Sequence, residues 1–278
     1  MTAPSGYAPV DGLGVALGED SVLRLTLDRP AKRNALDDTM VAGLVDALDA
    51  AGRDEDVRCV VLAGAGDHFC GGADIVARNA PPADGSTPRR PRVGSIQRRV
   101  PSLAHRLVRL VIGTQVPVVC RVQGWAAGIG MQLALAADVA IVDEAARLWE
   151  PFAERGFTPD SGATWLLPRL VGPVRARELL LLGRKLDGSE AADWGLVHRA
   201  VPADRLDDEV ASVVDRLAAG PTVALGLTKW LLHAGESVTL DDHLQNEALG
   251  LELSSRSEDF REGLAAFREK RAPRFTGR

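Results

Sequence analysis

Two glycine-rich turns constrain this chain most, because each follows a β-branched apolar run and so fixes where a strand must end. The first run is Val60-Val61-Leu62-Ala63-Gly64, with the turn Gly71-Gly72-Ala73-Asp74 shortly after it. The second run is Val116-Pro117-Val118-Val119-Cys120-Arg121-Val122, followed by Gly124-Trp125-Ala126-Ala127-Gly128-Ile129-Gly130. Small residues from 131 to 137 then read as a helix that stops at Asp138. Glycines at such places let backbone approach a ligand with no side chain in between. A helix opening directly behind them aims unsatisfied N–H groups and a positive dipole end into the gap. Two such turns on neighbouring strands would grip one oxygen that becomes negative during a reaction, which is the layout of an oxyanion hole.

A nucleotide site is the competing reading of these glycines. Gly12-Leu13-Gly14 with Gly18, and Gly64-Ala65-Gly66, imitate part of a dinucleotide fingerprint. Neither is a Gly-x-Gly-x-x-Gly that opens a helix with an acidic residue about twenty positions on, and no phosphate-loop lysine follows a glycine run. NAD and ATP are therefore not expected as ligands.

Strand signals fall at 21–28, 59–63, 116–122 and 139–142, and helical periodicity at 39–52, 100–112, 174–182 and 206–218. The alternation predicts an α/β architecture. Residues 1–9 read as a disordered tail and 10–202 as the core. From 203 to 278 the strands cease, and helices over 206–219, 222–233 and 240–252 make a helical appendage. The segment 79–95, with Pro81, Pro82, Pro88 and Pro91, reads as a mobile insertion.

Composition narrows the partners. Aromatic residues are only 4% of the chain, so packing must rest on Ala, Val and Leu. A net charge of −5 gives no basic field for nucleic acid. Arg89, Arg90, Arg92, Arg98 and Arg99 crowd one stretch, which reads as a solvated loop, with a polyanion site as the alternative. Cys59, Cys70 and Cys120 have no metal spacing and read as buried thiols in a reducing, cytoplasmic compartment. No apolar run is long enough for a membrane span, and no basic-then-apolar leader is present, so no membrane partner is expected.

The two turns are among five stretches whose order resembles the crotonase (enoyl-CoA hydratase/isomerase) superfamily. Residues 27–36, with Arg29-Pro30-Ala31-Lys32-Arg33-Asn34-Ala35, look like its first acyl-CoA segment, and 68–75 like its first oxyanion loop. Residues 122–138 look like its second oxyanion loop, and 167–172 and 191–197 complete the pattern. The resemblance spans about residues 20 to 275. It implies a crotonase-like spiral of ββα units with a C-terminal helical oligomerisation region that forms homotrimers, often paired into hexamers. It also implies an acyl-CoA thioester as substrate, with CoA part of that substrate and no separate cofactor or metal.

Residue by residue, the resemblance assigns the oxyanion donors to the backbone N–H groups of Ala73 and Ile129. Ile129 departs from the family's glycine, but the donor there is backbone. Lys32, Arg33 and Ala35 match the CoA segment, and Phe267 and Lys270 match residues that reach the adenine of a neighbouring subunit. Gly71, Gly72, Ile75 and Gly128 shape the acyl-CoA cradle, and Asp74 is expected to fix the first loop. Family hydratases hold water between two glutamates. Their positions here carry Gln132 and Phe152, which contradicts a two-glutamate hydratase.

Pro159-Asp160-Ser161-Gly162-Ala163-Thr164-Trp165 looks instead like the segment in which family isomerases carry a proton-shuttling aspartate. Asp160 is thus the candidate proton carrier, and a helix N-cap is its competing role. Three alternatives stay open. One is a hydratase (lyase) with a non-standard base such as Glu154; Glu150 and Glu154 both read as surface charges. Another is a non-catalytic acyl-CoA binding or scaffold protein. The third is an aromatic acyl-CoA dehalogenase-like hydrolase using Asp160 and His105. The acyl group itself is not legible.

Overall fold

The apolar run at 59–64 becomes a central strand because it can pair on both edges and bury both faces. In the computed structural model, which describes residues 7–78 and 92–278, β1 (Leu13–Leu17) and β2 (Val22–Leu27) form a hairpin, followed by α1 (Asp38–Ala51) and β3 (Cys59–Gly64). The chain continues through α2 (Ile75–Arg78), α3 (Ser95–Arg99) and α4 (Ala104–Gly113). Next come β4 (Val118–Val122), β5 (Trp125–Ala127), α5 (Ile129–Ala136), β6 (Val139–Asp143), β7 (Arg147–Trp149) and α6 (Ala163–Leu181). Then β8 (Lys185–Asp187), α7 (Gly188–Asp193) and β9 (Arg199–Val201) lead to α8 (Leu206–Ala218). The last elements are α9 (Thr222–Ala234), α10 (Leu240–Ser254) and α11 (Glu258–Glu269).

One sheet runs β1-β2-β3-β4-β6-β9 and is parallel except for the β1–β2 hairpin. A second, of order β5-β7-β8, stands apart. Successive strands alternate between the two sheets before each helix: β4, β5 and α5, then β6, β7 and α6. This is a ββα repeat, and it carries the chain from one sheet to the other at each turn of the spiral. Side-chain caps start several helices. Asp37 accepts from the Met40 N–H at 2.9 Å, and Asp187, Thr239 and Ser257 do the same for α7, α10 and α11. Each such cap contributes about 1 kcal/mol.

Three expectations need correction. Tyr7 is buried and its hydroxyl donates to Asp54 at 2.9 Å, so the disordered tail expected over 1–9 does not reach it. Residue 203 does not begin an appendage. Leu206, Val210 and Val214, every fourth residue of α8, pack on Val22, Cys59, Val119, Ile141 and Val201 of the large sheet. Burying side chains of this size is worth roughly 1.5–3 kcal/mol each, so α8 belongs to the core. The helix expected at 174–182 is the second half of α6, which is kinked at Gly172 (φ 73°), just before Pro173, which disfavours helical backbone there. Residues 1–6 and the 79–91 part of the expected insertion, with Arg89 and Arg90, lie outside the described residues.

No single described helix is long and apolar enough to cross a membrane, and the one pair that passes jointly, spanning 203–218 and 222–234, is bent by 106°. All three cysteines are buried and free. Burial pushes the Cys59 and Cys70 thiols up to about 12.

Candidate active site

The two glycine turns lie against each other. Phe69 N–H donates to the Gln123 carbonyl at 2.7 Å, Cys70 N–H to Trp125 at 2.8 Å, and Ala127 N–H back to Cys70 at 2.9 Å. The approach is close enough to require glycine. A Cβ on Gly130 would sit 2.6 Å from the Cys70 Cβ and 2.7 Å from its carbonyl oxygen. One on Gly72 (φ +100°) would sit 3.0 Å from the Ala127 carbonyl. On the other side, Leu36 N–H donates to Gly72 and Asp74 N–H to Leu36, both at 2.8 Å, and Gly71 N–H donates to Arg33 at 2.7 Å.

That pattern uses the backbone donors around Ala73 and leaves the Ala73 N–H with no acceptor among the described residues. The Ile129 N–H, first in α5, likewise has none. Gly128 just before it donates to the Trp149 carbonyl at 2.9 Å, which pins the start of the helix. Two free donors thus leave one joined pair of loops, at the positive end of α5. Ile129 itself is buried, so its branched side chain is accommodated in the packing.

The 28–36 segment is tied to these loops by polar contacts. Asp74 is buried and accepts from Arg29 at 2.9 Å and Lys32 at 3.3 Å, fixing its loop to the 28–36 segment. Arg29 also donates to the Ala35 carbonyl at 2.8 Å. Asn34, left-handed (φ 57°) and fully buried, is a residue to which sequence reasoning assigned no role. Its amide donates to the Ala65 and His68 carbonyls at 2.9 and 2.6 Å while its oxygen accepts from Arg29 N–H at 2.8 Å. Lys32 and Arg33 remain exposed beside it, and Ala35 is half-buried. Ile75 opens α2 directly behind Asp74. Phe267 is exposed on α11, and Lys270 is that helix's left-handed C-cap. No described hydrogen bond or ion pair joins either to Lys32 or Arg33 within the chain.

The opposite side is formed by residues 149–162. Phe152 is buried with its ring tip 4.0 Å from where a Gly128 Cβ would lie, and it meets Phe157 edge-on at 5.3 Å. Asp160 is exposed, and its carboxylate accepts from the Ser161 hydroxyl at 2.9 Å. The N-cap of α6 is Gly162, with no side-chain cap, so the Asp160 side chain does not cap that helix. Glu154 is exposed on a 3-10 turn, near Gly183. His105 is half-buried on α4, three residues before Val108, which packs on Gly162. That spacing puts His105 and Val108 on one helix face.

Glu150 overturns an expectation. Instead of a surface charge it is 1% exposed and hydrogen-bonded to the fully buried Gln132. Burial raises its carboxyl well above the ordinary range, the Asp160 charge pushes the same way, and the Gln132 bond pulls back. Its position immediately after β7, on a strand paired through Leu148 to both Ala126 and Leu186, explains the burial. A three-residue strand is too short for alternation to reveal that from sequence. Among the described residues no group of three His, Cys, Asp or Glu side chains is placed to hold a metal ion.

This arrangement has known counterparts. The enoyl-CoA hydratase/isomerase family model matches residues 18–278. The chain is similar to the 1,2-epoxyphenylacetyl-CoA isomerase of Escherichia coli, 41% identical over 94% of this chain and 97% of that protein. It is 32% identical to the 2,3-dehydroadipyl-CoA hydratase of the same organism, over 94% and 97% of the two chains. Among solved structures, an enoyl-CoA hydratase from Bacillus anthracis superposes with a TM-score of 0.86 at 30% identity, covering 96% of this chain and all of that one.

Proposed function

The chain belongs to the enoyl-CoA hydratase/isomerase family and has its crotonase fold, and from that premise we propose that it is an acyl-CoA isomerase in which Asp160 carries the proton. The family acts on acyl-CoA thioesters. In the proposed reaction the Asp160 carboxylate takes a proton from the α-carbon of an unsaturated thioester. The electron pair moves onto the thioester oxygen as an enolate, held by the Ala73 and Ile129 N–H groups. Asp160 then returns the proton at the γ-carbon, so the double bond shifts and nothing is gained or lost. Each backbone donor is worth about 3 kcal/mol to such an intermediate.

One observation carries this reading. The side chains where a hydratase would place its two carboxylates are Phe152, packed on Phe157, and Gln132, sealed against Glu150, while Asp160 stands exposed beside them. The similarity to a protein named for an isomerisation of an epoxyphenylacetyl thioester supports it, and extends the expected substrates to ring-derived acyl groups. Lys32, Arg33 and Ala35 would hold the CoA moiety, which is part of the substrate. Phe267 and Lys270 would reach CoA on a neighbouring subunit. The exposed apolar side chains of α10 and α11, among them Leu240, Leu251 and Leu264, would be covered in a homotrimer or a pair of trimers. Three buried free thiols suit a reducing, cytoplasmic setting.

The test compares 2-enoyl-CoA, 3-enoyl-CoA and a ring-derived acyl-CoA, with wild type and Asp160→Asn, by mass and ultraviolet detection. Double-bond migration that vanishes in the variant is the expected result. Water addition that survives Asp160→Asn would sink the proposal and favour a hydratase with another base.

A further inference from the structure

Among the described residues, buried carboxylates have charged or backbone donors, with one exception. Asp74 has Arg29 and Lys32, Asp259 has the N–H groups of Thr276 and Gly277, and Glu150 has only the Gln132 amide. Its second oxygen, Oε2, is fully buried with no partner, and so is the Gln132 Oε1. No cation among the described residues lies within ion-pair distance of it. An ionised carboxylate in that position would be unpaired, at a cost that a buried group avoids by keeping its proton.

The pair sits under the oxyanion cradle. Gln132 follows Ile129 by three residues on α5, and its N–H donates to the Gly128 carbonyl at 3.0 Å. Glu150 is flanked by Trp149, whose carbonyl accepts from Gly128 N–H, and by Pro151, which packs on Gly128. A negative charge here would draw the N-terminal field of α5 onto itself, away from an enolate. It would also oppose the charge on Asp160.

We propose that Glu150 is a positioning residue that works as the uncharged acid, bracing Gln132 and the first turn of α5 while leaving Asp160 to hold the site's negative charge. The inference rests on the enolate-forming function proposed above. As the acid, Glu150 has a proton to donate to the Gln132 oxygen, with the amide turned accordingly, so the pair keeps a hydrogen bond without burying an unpaired charge. The titratable and charged groups around it are few. From the 149–162 side these are Glu154, Arg155 and Asp160; Arg155 and Lys185 stack on the Trp149 ring. Arg147 pairs with Asp187. Behind Gly130, Cys70 is held protonated by burial, and α4 adds His105, Arg106 and Arg109.

The pH dependence follows from the direction of the shift. A carboxyl raised in the folded protein keeps its proton after the unfolded chain has lost it. The stability it contributes is therefore full below the ordinary value of 4.5 and falls as pH rises towards the folded value. Glu150→Gln, an uncharged isostere, removes that fall.

The experiment uses the full chain in three forms: wild type, Glu150→Gln and Glu150→Leu. Infrared difference spectra at neutral pH are expected to contain the carbonyl stretch of a protonated acid in wild type and not in Glu150→Gln. The melting temperature of wild type is expected to fall relative to Glu150→Gln as pH rises above 4.5. Exchange of the thioester α-proton into deuterium oxide, which any enolate-forming reaction gives, reads the positioning role. Glu150→Gln is expected to keep that rate within about twofold, and Glu150→Leu to lose about tenfold in kcat with KM unchanged. Absence of the acid band, or equal loss in the Gln and Leu variants, overturns the proposal. Normal exchange without double-bond migration would instead defeat the isomerase reading and leave this one standing.

Discussion

The loop cradle and the 149–162 segment flank one candidate site but are built from different material. The cradle is backbone: its donors are N–H groups, and its spacing is set by hydrogen bonds between loops and by glycines with no room for a Cβ. The opposing segment is side chain: a carboxylate at 160, a phenyl ring at 152, a buried acid at 150 braced by an amide at 132. In the proposed reaction the first region would tolerate Ile129 in place of a glycine, because the working atoms are unaltered. The second changes its chemistry with each substitution. In the proposed reaction, fixed electrostatics and variable acid–base groups would thus be separated in space, the scaffold forming the enolate and a few positions deciding its fate.

Four substitutions test that division, in descending order of effect. Asp160→Asn should lower turnover by a factor of about 10² to 10⁴, the usual cost of losing a general acid–base. Acyl-CoA affinity, measured by calorimetry, should stay near wild type. Gly130→Ala forces a methyl group against the Cys70 backbone, so it should pull the two loops apart and cost about 10²-fold in kcat, the scale of one displaced donor. Turnover in Gly130→Ala equal to wild type would break the claim that backbone spacing sets the cradle. Asn34→Ala removes two donated bonds and one accepted bond from a fully buried side chain, and should destabilise the fold by about 2–3 kcal/mol in urea titration. Ile129→Gly should change kcat by no more than about threefold, since the backbone donor remains. A large loss there would mean that the side chain takes part after all.

The same division explains what the sequence conveys. Backbone sites leave glycines and β-branched runs in fixed order, and these located the four expected strands and the two glycine turns. The missed strands, β5, β7, β8 and β9, have three residues each, too few to establish a period. β1 gave no strand signal because glycines weaken the pattern there: Gly12 makes the turn into the strand and Gly14 lies within it. The roles of Asn34 and Glu150 depend on what surrounds them in three dimensions. A buried acid and a surface acid read alike as letters, and only the pairing of Leu148 on both edges of β7 decides between them.

Lys229 on α9 joins these regions to the end of the chain. Its buried ammonium pairs with Asp138 at 2.7 Å and donates to the carbonyls of Val111 and Val116, residues 118 and 113 positions earlier. Asp138 in turn accepts from Val118 N–H at 2.7 Å, closing the corner between α5 and β4. On a ribosome, the second glycine loop therefore emerges with its corner acid unneutralised and the Val111 and Val116 carbonyls without that donor. The corner is completed only when α9 has been synthesised and folds back.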